Sequence, residues 1–154
     1  MTKITIKNTS QDDIPALKKV LDQIELFPSD MLEDMIAPAL NGESNALWLT
    51  AMTDQTPVGL CYAEPEELTD RAWNVLALGV EPNLQGHGIG KELMAAIEAR
   101  LVENMQRLLI VDTSSTDAFE SARSFYRSIG YSEEARIRDY WAEGDDKITF
   151  RKAL

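Results

Sequence analysis

The stretch Val80-Glu81-Pro82-Asn83-Leu84-Gln85-Gly86-His87-Gly88-Ile89-Gly90-Lys91 constrains the fold of this chain more than any other. An apolar, β-prone run from Trp73 to Val80 precedes it. Leu93, Met94, Ile97, Leu101 and Met105 follow it at the spacing of one helical face. A strand therefore enters a glycine-rich turn, and a helix starts from that turn. Gly86, Gly88 and Gly90 let successive backbone N–H groups converge with no Cβ in the way. The positive end of the helix dipole lies behind them, which suits an anion and above all a phosphate.

The bulk properties exclude several function classes. With 15 basic and 26 acidic residues the net charge is −11, the opposite of the positive footprint that nucleic-acid binding needs. No apolar run reaches the length of a membrane span, and Met1-Thr2-Lys3-Ile4 has no secretory pattern. Cys61 is the single cysteine and lies in an apolar, strand-like run, which fits a reduced, cytoplasmic setting with the thiol in the core. His87 is the single histidine, so neither a zinc site nor a histidine-based triad is expected, and no metal is implied.

Taken in order, Ile4-Thr5-Ile6 reads as a first strand, and Ser10 with Asp13 as a capping box. Ile14, Leu17, Leu21 and Ile24 then recur at helical spacing. A second helix opens at Asp30 and Glu33 and carries Leu32, Met35, Ile36 and Leu40, with Pro38 expected to kink or shorten it and Gly42 to end it. Runs 46–52 and 58–63 around Thr53 to Pro57 predict an antiparallel hairpin, followed by an acidic loop at 64–70. Gly79 predicts a bulge or a close approach by another segment. Leu108 to Val111 reads as a strand buried on both faces, parallel to 73–80 through a right-handed crossover. Asp117 and Glu120 open a last helix with Ala118, Ala122, Phe125 and Ile129 toward the core and Gly130-Tyr131 as its C-terminal cap. Segments 136–141 and 147–151 form a final hairpin. The chain is one α/β domain of mixed sheet over 1–154.

The spacing of the glycines separates this turn from two familiar phosphate binders. Gly86, Gly88 and Gly90 do not match Gly-x-Gly-x-x-Gly, and Gly90-Lys91 is followed by Glu92 rather than Ser or Thr. The turn also arrives behind two helices and a hairpin, not after the first strand. Gln85-x-x-Gly88-x-Gly90 after Val80-x-Pro82 instead resembles the acyl-CoA-binding motif of the GNAT superfamily of N-acetyltransferases. Ala122-x-x-Phe125-Tyr126-x-x-x-Gly130-Tyr131 is similar to that superfamily's late helix with its tyrosine.

The resemblance implies a central, mostly antiparallel sheet flanked by helices, in which parallel strands 73–81 and 107–112 splay apart and hold acetyl-CoA between them. It implies pantetheine pairing along Leu78, Gly79 and Val80, and pyrophosphate contacts from Gln85, Gly86, His87, Gly88, Ile89, Gly90 and Lys91. The Val80 N–H would stabilise the oxyanion. Tyr126 would lie at the CoA sulfur and protonate the leaving thiolate. With Phe125 in the core stripe, Tyr126 is expected to turn toward another face.

Two positions depart from the superfamily pattern. Phe119 stands where an asparagine commonly contacts the cofactor, which passes that contact to a neighbour such as Ser115 or Ser121. Gln85 replaces a common basic residue, a charge that Lys91 or Arg127 could supply. The strand 73–80 holds no carboxylate, so the general base is open among Glu81, Asp112 and Glu64. By position alone, Phe27, Asp30, Trp73, Tyr140 and Trp141 are candidates for the acceptor pocket, and acidic neighbours Glu33, Asp34, Glu66 and Glu67 favour a cation. The function implied is acetyl transfer to a primary amine of a small molecule or peptide, with no nucleic-acid or membrane partner and with homodimerisation left open. The alternative is a non-catalytic acyl-CoA sensor of the same fold.

Overall fold

Apolar runs separated by short turns pair into one sheet in the computed structural model, which describes residues 3–154. The chain runs β1 (Ile4–Asn8), α1 (Ile14–Leu21), α2 (Leu32–Leu40), β2 (Leu47–Thr53), β3 (Thr56–Pro65) and β4 (Ala72–Val80). It continues as α3 (Ile89–Glu103), β5 (Leu108–Ser114), α4 (Glu120–Ser128), β6 (Ser132–Ala142) and β7 (Asp145–Ala153). The strand order is β1-β2-β3-β4-β5-β7-β6, and β4 with β5 is the one parallel pair among the described residues. This is the mixed, mostly antiparallel sheet that the sequence implies, with helices on both faces.

Alternation along the strands sorts the core into two layers. Leu49, Val75, Val111 and Phe150 meet Leu93, Met94 and Ile97 of α3 on one face. On the other, Trp48, Leu60 and Tyr62 meet Leu17 and Leu21 of α1 with Leu32 and Ile36 of α2. Trp48 and Tyr62 stack with ring centroids 4.0 Å apart. Each fully buried aliphatic side chain here contributes roughly 1.5–3 kcal/mol of transfer free energy.

Local signals decide where elements start and stop. Ser10 and Asp13 form the expected box: the Ser10 N–H donates to Asp13 Oδ2 at 2.8 Å, and the Lys7 ammonium pairs with the same oxygen at 2.5 Å. The box opens a 3-10 turn, Gln11–Asp13, that leads into α1. Pro38 shortens α2, which ends two residues later, and Gly42 takes φ +74° beyond it.

Several boundaries differ from expectation. α1 stops at Leu21, so Ile24 belongs to the α1–α2 connection rather than to a helical face. The β2–β3 hairpin turns on Asp54 and Gln55 alone, both at positive φ, and Thr56 and Pro57 already lie in β3. α3 ends at Glu103, and Met105 turns out to solvent at 72% exposure with φ +61°. β6 does not alternate: it is an edge strand exposed along its whole length. Among the described residues, no helix is long and apolar enough to cross a membrane.

Candidate active site

The parallel pair is short. β4 and β5 share register from Ala72↔Leu108 to Val75↔Val111 and then separate. β4 continues to Val80 on β3, while β5 continues to Ser114 on β7, so the two strands diverge around an opening. Gly59 faces Val80 across β3–β4, and the Glu81 N–H donates to Val58 O at 2.8 Å, which makes Gly59/Val80 a non-hydrogen-bonded pair. By the alternation of an antiparallel ladder, Leu78 and Val80 therefore aim their N–H and C=O groups away from β3, into the opening. Gly79 faces β3 instead. A Cβ there would stand 2.6 Å from Ile24 Cδ1, so the glycine marks the close approach of the α1–α2 connection; the strand irregularity lies elsewhere, where β3 shifts register between Tyr62 and Ala63.

Beyond Val80 the glycine turn presents its backbone. Gly86 and Gly88 hold φ of +83° and +85°, and a Cβ added to either would meet nothing within 4 Å. Both positions need glycine for conformation, and they leave the turn's surface open. Glu92 is the first residue of α3 to donate back into the turn, to Gly88 O at 3.0 Å. The N–H groups of Ile89, Gly90 and Lys91 remain unpaired within the backbone of the described residues, as at any helix start. Side chains hold the turn from behind. Gln85 Nε2 donates to Val80 O at 3.2 Å, and His87 Nδ1 lies 3.1 Å from Leu84 O and 3.2 Å from Gln85 O, so that nitrogen carries the proton. The His87 ring thus stabilises the turn. Lys91 is exposed beside it, whereas Arg127 points away and pairs with Glu133 at 3.2 Å.

Tyr126 is the one buried residue of α4: Ala122, Phe125 and Ile129 pack on the core as expected, but Tyr126 joins them instead of turning to another face. Phe125 is only partly buried, and a Cβ added at Gly90 would stand 3.4 Å from its ring edge. Tyr126 turns inward, edge-on to Tyr131 (6.0 Å between centroids) and tilted on Phe150 (5.7 Å), with 7% exposure. It nevertheless lines the opening between β4 and β5, and its hydroxyl makes no hydrogen bond among the described residues. Burial, and secondarily the neighbouring Cys61 sulfur, hold its phenol well above the ordinary value. It is a neutral O–H donor at any working pH. Cys61 itself is fully buried, and burial pushes its thiol up to about 12.

The opening is a cleft of about 350 Å³. Leu76, Ala77 and Leu78 form one wall and Val111 to Ser114 the other, with Tyr126 and Phe119 at the α4 side. Glu25 and Leu26 of the α1–α2 connection and Trp141 and Asp145 of the β6–β7 hairpin close the opposite side. The hairpin is tied to β5: Ser114 Oγ donates to Asp145 Oδ1 at 2.5 Å, and the Asp146 N–H to Ser115 Oγ at 2.8 Å. Ser115 is thereby occupied as a hairpin tie, and Ser121 is exposed on α4.

Of the carboxylates considered as bases, Asp112 lines this cleft. Glu81 lies at the far end of β4, within 3.4 Å of Asn83 Nδ2, and Glu64 accepts the Tyr62 hydroxyl. Of the acceptor-pocket candidates, Trp141 is at the cleft and Tyr140 packs edge-on against it. Trp73 is in the core with its indole N–H on Gln106, Phe27 packs with α1 and α2, and Asp30 borders a separate depression with Met31, Asp34 and Met35. Glu25, Leu26 and Asp145 are not legible in the sequence as wall residues, because each arrives through a connection whose path depends on tertiary packing.

Comparison with known proteins bears on this architecture. The acetyltransferase (GNAT) domain family matches residues 44–133, more than half of the chain. A protein from Desulfovibrio desulfuricans assigned to the GNAT acetyltransferases superposes with a TM-score of 0.88 at 22% identity, over 98% of this chain and 99% of its own. The ribosomal-protein-S18-alanine N-acetyltransferase of Escherichia coli superposes at 0.79 with 17% identity, over 99% and 94%. PaiA N-acetyltransferase of Thermoplasma acidophilum, in complex with coenzyme A, superposes at 0.76 with 19% identity, over 99% of both chains. At these identities the superpositions speak for the fold.

Proposed function

The chain belongs to the GNAT acetyltransferase family, and from that premise we propose that it transfers the acetyl group of acetyl-CoA to a primary amine within a ternary complex. The observation that carries this reading is continuity: open N–H groups at the glycine turn, then the outward-facing edge of Leu78 and Val80, then the Tyr126 hydroxyl in the same opening. A long anionic thioester fits that sequence of groups. The turn meets a pyrophosphate with N–H donors and the dipole of α3. The edge of β4 offers strand-like hydrogen bonds to an amide-bearing arm.

Acetyl-CoA supplies an activated acyl carbon as thioester. The amine, once deprotonated, forms a C–N bond at that carbon as the C–S bond breaks, and the products are the acetamide, CoA thiol and one proton. A backbone N–H of β4 steadies the carbonyl oxygen; Val80 is the donor expected from the sequence, and Leu78, which lines the cleft, is the second candidate. Tyr126 gives its proton to the departing sulfur, a role that suits a buried phenol with no competing partner. Asp112 is placed to take the proton from the amine, directly or through water, ahead of Glu81 and Glu64. The free, buried thiol of Cys61 fits a reducing cytoplasm.

Release of CoA thiol from acetyl-CoA on addition of primary amines tests the reading, with mass spectrometry of the product. Amine-dependent thiol release with an acetamide product is expected. Tight binding of acetyl-CoA with no release across the panel would instead leave a sensor of the same fold.

A further inference from the structure

The cleft is approached from both faces of the sheet. Residues directly opposite on a ladder share a face. Val111 and Phe150 are opposite and lie in the α3 layer together with Tyr126. Asp112 and its opposite, Thr149, therefore stand on the other face, where Thr149 Oγ1 donates to Asp112 Oδ1 at 2.5 Å. Leu26 packs in the α1–α2 layer, on the same side as Asp112. Tyr126 thus meets the leaving sulfur from one side of the sheet, and the acceptor enters from the other.

Three apolar side chains from three elements line this cleft, and each is held by a device of its own. Ala77 pairs with Tyr62 and Val75 with Ala63, which leaves Leu76 as the extra residue of a β-bulge in β4. Val75 accordingly packs in the α3 layer and Ala77 in the α1–α2 layer, while Leu76 belongs to neither and turns out at 48% exposure. Leu26 lies over Gly79, where a Cβ would stand 3.1 Å from its Cδ2. Trp141, 49% exposed, donates its indole N–H to Thr113 O at 3.2 Å and meets Tyr140 edge-on. A single exposed leucine needs no explanation, but three fixed apolar side chains around one cleft mark a contact surface. Glu25, Asp112 and Asp145 line the same cleft, and no basic residue among the described residues does.

We propose that Leu76, Leu26 and Trp141 select an acceptor whose primary amine is carried on an uncharged, apolar body of the kind in 2-phenylethylamine. Such a body covers apolar surface that water otherwise wets, and its ammonium group is favoured by the carboxylates. A carboxylate on the same molecule would be repelled by them. Leu76 is the specificity-determining residue, because the bulge aims it at the cleft and away from both core layers. The assignment rests on the acetyltransferase reading for the transfer step, and the apolar contact can be measured by binding alone.

Thiol release at saturating acetyl-CoA with 2-phenylethylamine, ethanolamine and L-phenylalanine tests this, alongside calorimetric titration of the CoA-loaded protein with the same compounds. kcat/KM for 2-phenylethylamine should exceed that for ethanolamine by roughly tenfold or more, and L-phenylalanine should be a poor substrate. Leu76→Ser should bring the ratio of the two amines close to one, and Leu76→Met should keep it. Circular dichroism and CoA binding report whether each variant is folded. Equal use of 2-phenylethylamine and ethanolamine, L-phenylalanine used as well as 2-phenylethylamine, or a folded Leu76→Ser with an undiminished ratio overturns the assignment and leaves transfer standing. Preferential binding of 2-phenylethylamine that is lost in Leu76→Ser, with no thiol release from any amine, does the reverse: the apolar contact stands and the transfer reading falls.

Discussion

Gly79 lies beneath Ile24: a β-carbon on the strand would stand 2.6 Å from Ile24 Cδ1 and 3.1 Å from Leu26 Cδ2. The α1–α2 connection thus rests on β4 at the point where the strand borders the cleft. Gly79→Ala displaces only the free ends of two flexible side chains, so the fold should lose about 1 kcal/mol or less. Because Glu25 and Leu26 are cleft walls, KM for the amine should rise while CoA affinity holds. Chemical denaturation and steady-state kinetics check the two halves.

Tyr126→Phe removes a hydroxyl that has no partner among the described residues and leaves the ring packed on Phe150 and Tyr131. Stability should change by less than about 0.5 kcal/mol. Turnover should fall by roughly 10²-fold or more, the scale of a lost general acid, with acetyl-CoA affinity unchanged. An unaltered kcat would remove Tyr126 from the chemistry.

The glycines of the turn should not behave alike. Gly88→Ala places a side chain at φ +85°, a cost of roughly 1 kcal/mol, and puts a methyl group on the open anion-facing surface. Gly90 has ordinary geometry, and a methyl group there makes only normal contact with Phe125 at 3.4 Å. CoA affinity measured by calorimetry should drop clearly in the first variant and less in the second.

Asp13 sets an acid limb. Burial raises its pKa, but the hydrogen bonds and charge of Lys7 together with the Ser10 donors outweigh that, and the carboxyl is held below its ordinary value. A depressed folded pKa means that its stabilisation is complete above the unfolded value near 3.9 and is lost as pH falls through the lower folded value. Asp13→Asn should cost about 1 kcal/mol at neutral pH, as a lost cap does, and little in strong acid. Thermal melts from neutral pH downward should converge for the two proteins.

Cys61 should be silent in the native state. A buried thiol with its pKa pushed up to about 12 offers neither access nor thiolate at pH 8. Iodoacetamide labelling should follow global unfolding in denaturant and be absent below the transition.

What can be read from the sequence is what local chemistry determines. The glycine turn, the helix behind it, the hairpins and the capping box of Ser10 and Asp13 all depend on neighbours in the chain. The stripe of Ala122, Phe125 and Ile129 packs on the core as its spacing implies, but the inward arc of α4 is wider than that stripe and takes in Tyr126, the next residue after Phe125 and four after Ala122. Ile24 drops out of the helix because α1 stops at Leu21, and its role above Gly79 needs the fold to become visible. Asn74 is a lone amide in an apolar strand, and its contacts with Glu66 in the preceding connection and with Asp112 on β5 exist only once β4 is paired. The acceptor side of the cleft is long-range throughout, and there sequence spacing carries little.

The position of β7 has a consequence for when this protein becomes competent. It follows every other strand of this sheet in chain order, yet it lies between β5 and β6. Until residues 145–153 leave the ribosome, β5 has no partner on its outer side, and the Asp112–Ser114 wall has nothing to hold it off β4. A nascent chain can fold its first four strands, both early helices and the glycine turn while the cleft remains unformed. Such late, long-range pairing is slow by nature. Ligand capture therefore waits on the β6–β7 hairpin, and a product cut short inside it would lose Ile148 and Phe150 from the core together with the second wall of the cleft.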